Sequence, residues 1–396
     1  MKRIIIIGGG TFNPVRNHLA LSAMAFGSTA KSLHQKIGNS ELVLTKMADS
    51  SSDIVTNEDM DRKIEELIKD PGVGTVIMSA AICDYTGQVG LVESGSHAER
   101  LRTSTGNLSM ELTPAEKLIS RIRVERPDIF LVGFKTVTNK SEDQQFSITL
   151  KMMKKSKCNL VLSNDTVNRR NMIITPEETM YGITHDREQV LTELVEMTLM
   201  RNNLTYNRTD FSESPSLSIM ETTPVFRKVL RYVIRNGGFI ENNGNGFTPG
   251  HFCQKLDTNT FLSSQRKADH NHVFSEGVTL VKVEGDKFKA FGNRKPSVGA
   301  RSQFLLLEQN PEYDCIIHTH NPLKKSSSLY TVEQKPFQCG SLECGLNTAN
   351  NIQDYNGVKA VFLEKHGVNI LFKSSEDPQK IIDFINEHIE LGIKIK

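Results

Sequence analysis

Residues 2–200 alternate short β-branched runs with amphipathic stretches. IIII, ELVLT, VGTVIMSAA, IFLVGFK and NLVLSND are separated by segments such as KIEELIKD, AEKLISRIRVE and the run ahead of Lys157, and EQVLTELVEMTLM closes the series. A strand that is apolar along its whole length must be covered on both faces, and helices between successive strands make each connection a crossover. The pattern therefore predicts an α/β fold, a Rossmann-like parallel sheet between two helical layers, whose ligands gather at the C-terminal ends of the strands. After the first strand, a helical segment is expected to run to about Ile37.

The periodicity changes beyond residue 200. RNNLTYNRTDFSESPSLSIMETT is polar, Ser-rich and without apolar spacing, so residues 201–221 read as a linker. PVFRKVLRYVIRNGGFI is an amphipathic helix stopped by Gly237 and Gly238. Short strands follow, with a hairpin around Gly285, a helix over 300–309, the strands DCIIHTH and KAVFLEKHGVNILF, and a last helix from Glu376 to about Leu391. This predicts a second, α+β domain over 222–396 with a mainly antiparallel sheet. At 396 residues the chain is long enough for two cores.

Lys and Arg number 48 against 46 Asp and Glu, so no global charge draws the chain to nucleic acid or to a membrane surface. No apolar run approaches the roughly 20 residues that span a bilayer. Cys83, Cys158, Cys253, Cys315, Cys339 and Cys344 form no CxxC pair or disulfide framework. A reducing, cytoplasmic location is the simplest expectation, and it makes the sequons at Asn203 and Asn207 incidental. The expected partners are small-molecule substrates.

Directly after the first strand, Gly8, Gly9, Gly10 and Thr11 form a turn of the kind that cradles phosphate with backbone N–H groups. The opening GGTFNP is shared with nucleotidylyltransferases, but their His-x-Gly-His pair is missing: Arg16 holds the first histidine position and His18 falls one residue too early for the second. Later strand ends favour another class. Ala80-Ala81-Ile82-Cys83-Asp84-Tyr85, Gly133-Phe134-Lys135-Thr136 and Leu162-Ser163-Asn164-Asp165 arrive in order. Together with Val15-Arg16 they make residues 1–200 resemble the phosphopantothenoylcysteine synthetase (phosphopantothenate–cysteine ligase) family. The resemblance implies a carboxylate that attacks the α-phosphate of CTP or ATP with Mg²⁺, followed by displacement of the nucleotide by an amine. It implies nucleotide contacts from Gly9, Gly10, Thr11 and Arg16, base contacts from Phe134 and the backbone at Ala80 and Ala81, and phosphate contacts from Lys154, Lys155 and Lys157. Asp84 would meet Mg²⁺ or the nucleotide, and Asp84 and Asn164 are the implied catalytic residues. The chain departs from the family at Ala20, near an expected Asn, and at Arg100 and Arg102, where lysines are expected.

In CIIHTHNP, His318 and His320 sit at i and i+2, so on a strand both rings leave the same face. His366 precedes Gly367 at the end of another apolar run. Three imidazoles with an open fourth position suit a catalytic zinc or another divalent transition metal. HTHNP, GSLECG and KHGV, after a basic helix that ends in Gly-Gly, make residues 222–396 resemble the class II aldolase/adducin family. The resemblance implies a metal held by His318, His320 and His366 that polarises a substrate carbonyl. The family's Pro-Ser-Ser-Glu reads Pro296-Ser297-Val298-Gly299 here, and its Gly-Asn-Ile-Ser is approximated by Gly250-His251-Phe252-Cys253. Ser297 would hold a phosphate, and Glu343, or less readily Glu333, would supply the missing carboxylate. The whole reads as a bifunctional enzyme, a ligase joined to a metal-dependent lyase, with homo-oligomers (dimers or tetramers) implied. Non-catalytic nucleotide- or metabolite-binding modules are the alternative.

Overall fold

The computed structural model describes residues 2–204, 209–241, 246–285, 287–333 and 335–395. Asn207 lies outside them. The chain forms two compact units, Met1–Asn202 and Asn203–Lys396.

Among the described residues, seven strands form the sheet of the first unit, in the order Met180–Thr184, Asn171–Ile174, Leu160–Asp165, Phe130–Val137, Val73–Met78, Arg3–Gly8, Glu41–Leu44. The last five of these are mutually parallel, and the first two add antiparallel at one edge. Val73–Met78 is buried along its whole length, as a strand covered on both faces must be. Its cover includes Met60, Ile64 and Leu67 of helix Asn57–Lys69 on one face, and Leu33, Leu191 and Leu194 of other helices on the second. In chain order the parallel strands run 2-1-3-4-5. The order reverses between Arg3–Gly8 and Val73–Met78, which opens a crevice beyond their C-terminal ends.

Two features differ from the sequence reading. A hairpin, Phe12–Arg16 with Leu19–Ser22, stands between the glycine turn and the first helix, Ser28–Ile37. Pro14 lacks an N–H, and the run FNPVR carries no 3.6-residue apolar stripe, so the segment pairs as a ribbon instead. The described residues within 201–221 are also more structured than a linker. Arg201 ends helix Arg187–Asn202 with its guanidinium buried against Glu177, at 3.1 Å. Thr209–Glu213 pairs in parallel with Lys287–Gly292. Alternating Thr209, Phe211 and Glu213 can edge a sheet without a strongly apolar signal.

In the second unit the sheet runs Thr209–Glu213, Lys287–Gly292, Thr279–Glu284, Thr260–Ser263, His251–Lys255, Cys315–Thr319, Gly367–Phe372, Val358–Leu363, Thr331–Val332, with Gln353–Tyr355 also paired to Val358–Leu363. Except at its two ends the pairing is antiparallel, as expected for the α+β class. Helices Pro224–Arg235 and Pro378–His388 pack together against one face through Phe226, Leu230, Ile381 and Ile385. Thr223 caps the first of them, and Pro224 sits where a missing N–H costs nothing. The other face carries helix Ala300–Gln309, with Leu306 and Leu307 in its core.

Candidate functional site

The second sheet puts three of the predicted ligands together. His318 sits in the strand Cys315–Thr319 and is followed two residues later by His320, while His366 ends the turn before Gly367–Phe372. Their ring centroids form a near-equilateral triangle with sides of 4.9, 5.0 and 4.9 Å. One ligating nitrogen from each lies within 4.8 Å of the others. The Nδ1–H of His318 donates to the carbonyl of Val368 at 2.9 Å, which leaves the lone pair on Nε2. That Nε2 is buried and has no hydrogen-bond partner. Burial, followed by the neighbouring imidazoles, pushes His318 and His320 well below the usual histidine range, so both are neutral, the form that binds metal. An orphaned lone pair amid neutral imidazoles fits a divalent transition metal.

A fourth imidazole joins them, from a residue that the sequence placed only in the approximated Gly-Asn-Ile-Ser motif. His251 stands directly across from His318 in the antiparallel ladder, which brings the two rings together, tilted by 33°, with centroids 4.6 Å apart. The side-chain amide of Gln303 meets His251 Nδ1. Burial, then His366, lowers the His251 pKa to about 3. Gly299 explains how this ring fits: a Cβ there would lie 2.5 Å from His251 Nε2. The histidine thus fills the direction in which a side chain at 299 would project. His251, His318, His366, Cys339 and Cys344 line one small cavity. Glu343 sits in the first turn of helix Leu342–Ala349 and does not line that cavity, although its neighbour Cys344 does. Ser297 accepts the Gly299 N–H at 3.3 Å and so shapes the turn before helix Ala300–Gln309.

In the first unit the crevice at the strand ends is built by Thr11, whose N–H donates to the carbonyl of Ala81 and whose Oγ1 accepts the N–H of Cys83 at 2.9 Å. Asn57, also missed, joins them: its Oδ1 accepts from Thr11 Oγ1 and its Nδ2 donates to the carbonyl of Cys83. The glycines are tightly packed. A Cβ on Gly9 would fall 2.1 Å from Thr45 Oγ1, and one on Gly10 only 1.9 Å from the carbonyl of Ala23. Asn164, next to last in its strand, has Oδ1 accepting from Thr136, and Phe134 is half-buried one strand over. Asp165, buried next to Asn164, is disfavoured by burial as an anion, but N–H groups of Lys140, Val167, Asn168 and Asn139 hold its pKa down to about 2.

Residues 17–202 match the family described as the DNA/pantothenate metabolism flavoprotein C-terminal domain. The N-terminal region carries a phosphopantothenoylcysteine synthetase-like domain. A curated relative, the coenzyme A biosynthesis bifunctional protein CoaBC of Thermococcus kodakarensis, is 27% identical over 172 residues, 41% of this chain and 41% of the relative. The chain thus spans about two fifths of that relative's length. Among solved structures, the DNA/pantothenate metabolism flavoprotein from Streptococcus pneumoniae is 20% identical, covers 50% of this chain and 97% of its own, and superposes with a TM-score of 0.42. L-fuculose-1-phosphate aldolase from Thermus thermophilus is 15% identical, covers 40% of this chain and 83% of its own, and has a TM-score of 0.29.

Within the synthetase-like domain, the predicted phosphate contacts do not all converge. Helix Glu142–Ser156 runs antiparallel to the strand it feeds, so its C-terminal end lies at the start of Leu160–Asp165, not at the strand ends near Thr11 and Asn164. Lys154 ion-pairs with Glu178 there, and the carbonyl of Lys157 accepts from Arg123. Arg16 is 3% exposed and spends its guanidinium on the carbonyls of Val15 and Val89. Asp84 is exposed and ion-paired with Lys117. Ala80 and Ala81 lie at the crevice, as expected from the strand register.

Proposed function

We propose that this chain is a bifunctional enzyme. Its N-terminal unit would be a CTP- or ATP-dependent, Mg²⁺-assisted carboxylate–amine ligase of the phosphopantothenate–cysteine type, which would place it in coenzyme A biosynthesis. Its C-terminal unit would bind zinc or another divalent transition metal and act on a small phosphorylated carbonyl compound as an aldolase or dehydratase. The observation that carries the metal reading is the buried Nε2 of His318, without a partner, beside His320 and His366. A metal held there supplies Lewis acidity toward a carbonyl oxygen. The protein's own part is to keep His318 and His320 neutral, to hold His366 beside them and to exclude water. The ligase reading rests on the family match together with Thr11 and Ala81 at the strand-order reversal, and on Phe134 and Asn164 in the next two strands of the sheet.

In the ligase, Thr11 and Asn57 would fix the crevice, Phe134 and the backbone at Ala80 and Ala81 would receive the base, and Asp84 would meet Mg²⁺ after parting from Lys117. A second reading, a nucleotide-binding module without turnover, is favoured by one specific observation: Arg16 is buried in internal hydrogen bonds. Pyrophosphate release with CTP or ATP and Mg²⁺ separates the two. Release that needs both phosphopantothenate and cysteine is expected, and nucleotide binding without release would replace the ligase with a binding module. For the second unit, one metal per chain is expected, lost in a His318→Ala, His320→Ala variant; an unchanged stoichiometry would refute the site.

A further inference from the structure

The cations that the sequence assigned to phosphate are used elsewhere: Lys154 on Glu178, and Arg16 on the carbonyls of Val15 and Val89. Another guanidinium does stand at the strand ends. Arg187 opens helix Arg187–Asn202, and its two terminal nitrogens donate to Asn171 Oδ1 at 3.0 Å and to Thr29 Oγ1 at 3.2 Å. Asn171 is the register partner of Asn164, next to last in its parallel strand, so both side chains leave the same face near the C-terminal end. Leu160, Leu162 and Phe134 share one core cluster with Leu33, Val190 and Leu191, and by the two-residue alternation Asn164 continues their face. Arg187 thus lies in the same layer as Phe134 and Asn164.

Its charge has no counterpart there. Both acceptors are neutral, and among the described residues no carboxylate forms an ion pair with Arg187; Glu188, next in sequence, turns to Ser32 and Lys36. Burial lowers the Arg187 pKa and the Glu188 charge offsets this only in part, yet an arginine stays protonated at neutral pH. Thr29 belongs to the first turn of helix Ser28–Ile37, where the macrodipole is positive, no side chain caps the N–H groups and no acidic residue stands. That turn abuts the glycines: a Cβ on Gly8 would lie 2.3 Å from Ala30 Cβ, and one on Gly27 3.8 Å from Gly9 N. Thr45 Oγ1, fully buried against Gly9, has no hydrogen-bond partner. A cation and a positive helix end that share a partly buried place are stabilised by an anion between them.

We infer that Arg187, with the first turn of helix Ser28–Ile37, binds a phosphate group in the crevice of the first unit, an inference that rests on the ligase reading. Two N–H donors of the guanidinium fork are engaged by Asn171 and Thr29, which fix its plane, and the others remain for phosphate oxygens. The phosphate belongs to the nucleoside triphosphate or to the phosphorylated acid, which present the same chemistry to the site.

Calorimetric titration of the full chain with CTP and ATP, each with Mg²⁺, and with phosphopantothenate tests this. Arg187→Met should weaken at least one of these ligands tenfold or more, and Arg187→Lys, which keeps the charge but not the fork, should weaken it by less. The affinity of the unaltered chain should fall with ionic strength more steeply than that of Arg187→Met, a difference that a merely structural role would not produce. Arg187→Gln, neutral but still a donor, gives the same reading should Arg187→Met not fold. Loss confined to CTP and ATP assigns the site to the nucleotide, and loss confined to phosphopantothenate assigns it to the acid. Unchanged affinity for all three, or a loss with unchanged salt dependence, overturns the role of Arg187 and leaves the ligase reading standing. An unaltered chain that binds none of the three overturns both.

Discussion

At the scale of single residues, the cluster of imidazoles around His318 depends on what Gly299 lacks. Any Cβ there meets the half-buried His251 ring, whose Nδ1 is held by Gln303 and whose face lies against His318. Gly299→Ala is therefore expected to cost about 1–3 kcal/mol, the usual range for overpacking, read as a lower midpoint in urea with an unchanged slope. A second prediction concerns His270, which lies outside the metal triad and packs between Phe239 and Phe252 with Nε2 near the carbonyl of Gly250. Burial outweighs that carbonyl and lowers its pKa to about 4. Its unfolded value is about 6.5, so as pH falls below that the unfolded chain takes up a proton that the folded chain resists. Stability is present in full above about pH 6.5 and is lost progressively down to about pH 4. Thermal midpoints of the metal-free protein should fall across that window, and the fall should be shallower in His270→Gln. That His318, His320 and His366 come together was legible because a two-residue spacing on a strand and a His-Gly turn are short-range signals. His251 was not, because its place depends on a cross-strand register and on a missing side chain at 299, neither of which is local in sequence.

Among elements, the helix Arg187–Asn202 shows how a charged residue can end inside. Arg201 is 1% exposed and meets Glu177 through two nitrogens, at 3.1 and 3.2 Å. Arg201→Met leaves a buried carboxylate without its cation and should destabilise the first unit by about 3–5 kcal/mol. Glu177→Gln in the same chain should recover part of that loss, as measured by a denaturation double-mutant cycle. Helix Asn57–Lys69 offers a smaller test. Thr56 and Asp59 form a reciprocal capping box, so Thr56→Ala should cost about 1 kcal/mol in chemical denaturation. The alternation of strands and helices in the first unit was readable from apolar runs, since each strand is buried on both faces. The hairpin at residues 12–22 was not, because glycines ahead of a strand and glycines ahead of a helix look alike. Lys154 and Lys157 show the same limit: a basic helix end is obvious in sequence, but the end of the sheet it occupies is set by the direction of the crossover.

In the whole molecule, each unit has its own core clusters, from Ile5 to Met197 in one and from Ile219 to Ile389 in the other. Calorimetry is expected to resolve two transitions, and zinc at a hundred times its dissociation constant should stabilise the second unit by about 2.7 kcal/mol and leave the first where it was. A single transition that moves as one would refute this independence. In the second unit the sheet as a whole orients the site. The register pairs His318 with Asn369 and sets Val368 as the neighbour whose carbonyl holds the His318 tautomer. That acceptor belongs to the main chain, so no codon encodes it. Val368 can drift to any residue that keeps the strand, and the imidazole stays oriented, which makes this half of the histidine cluster a property inherited with the fold and silent in any comparison of side chains.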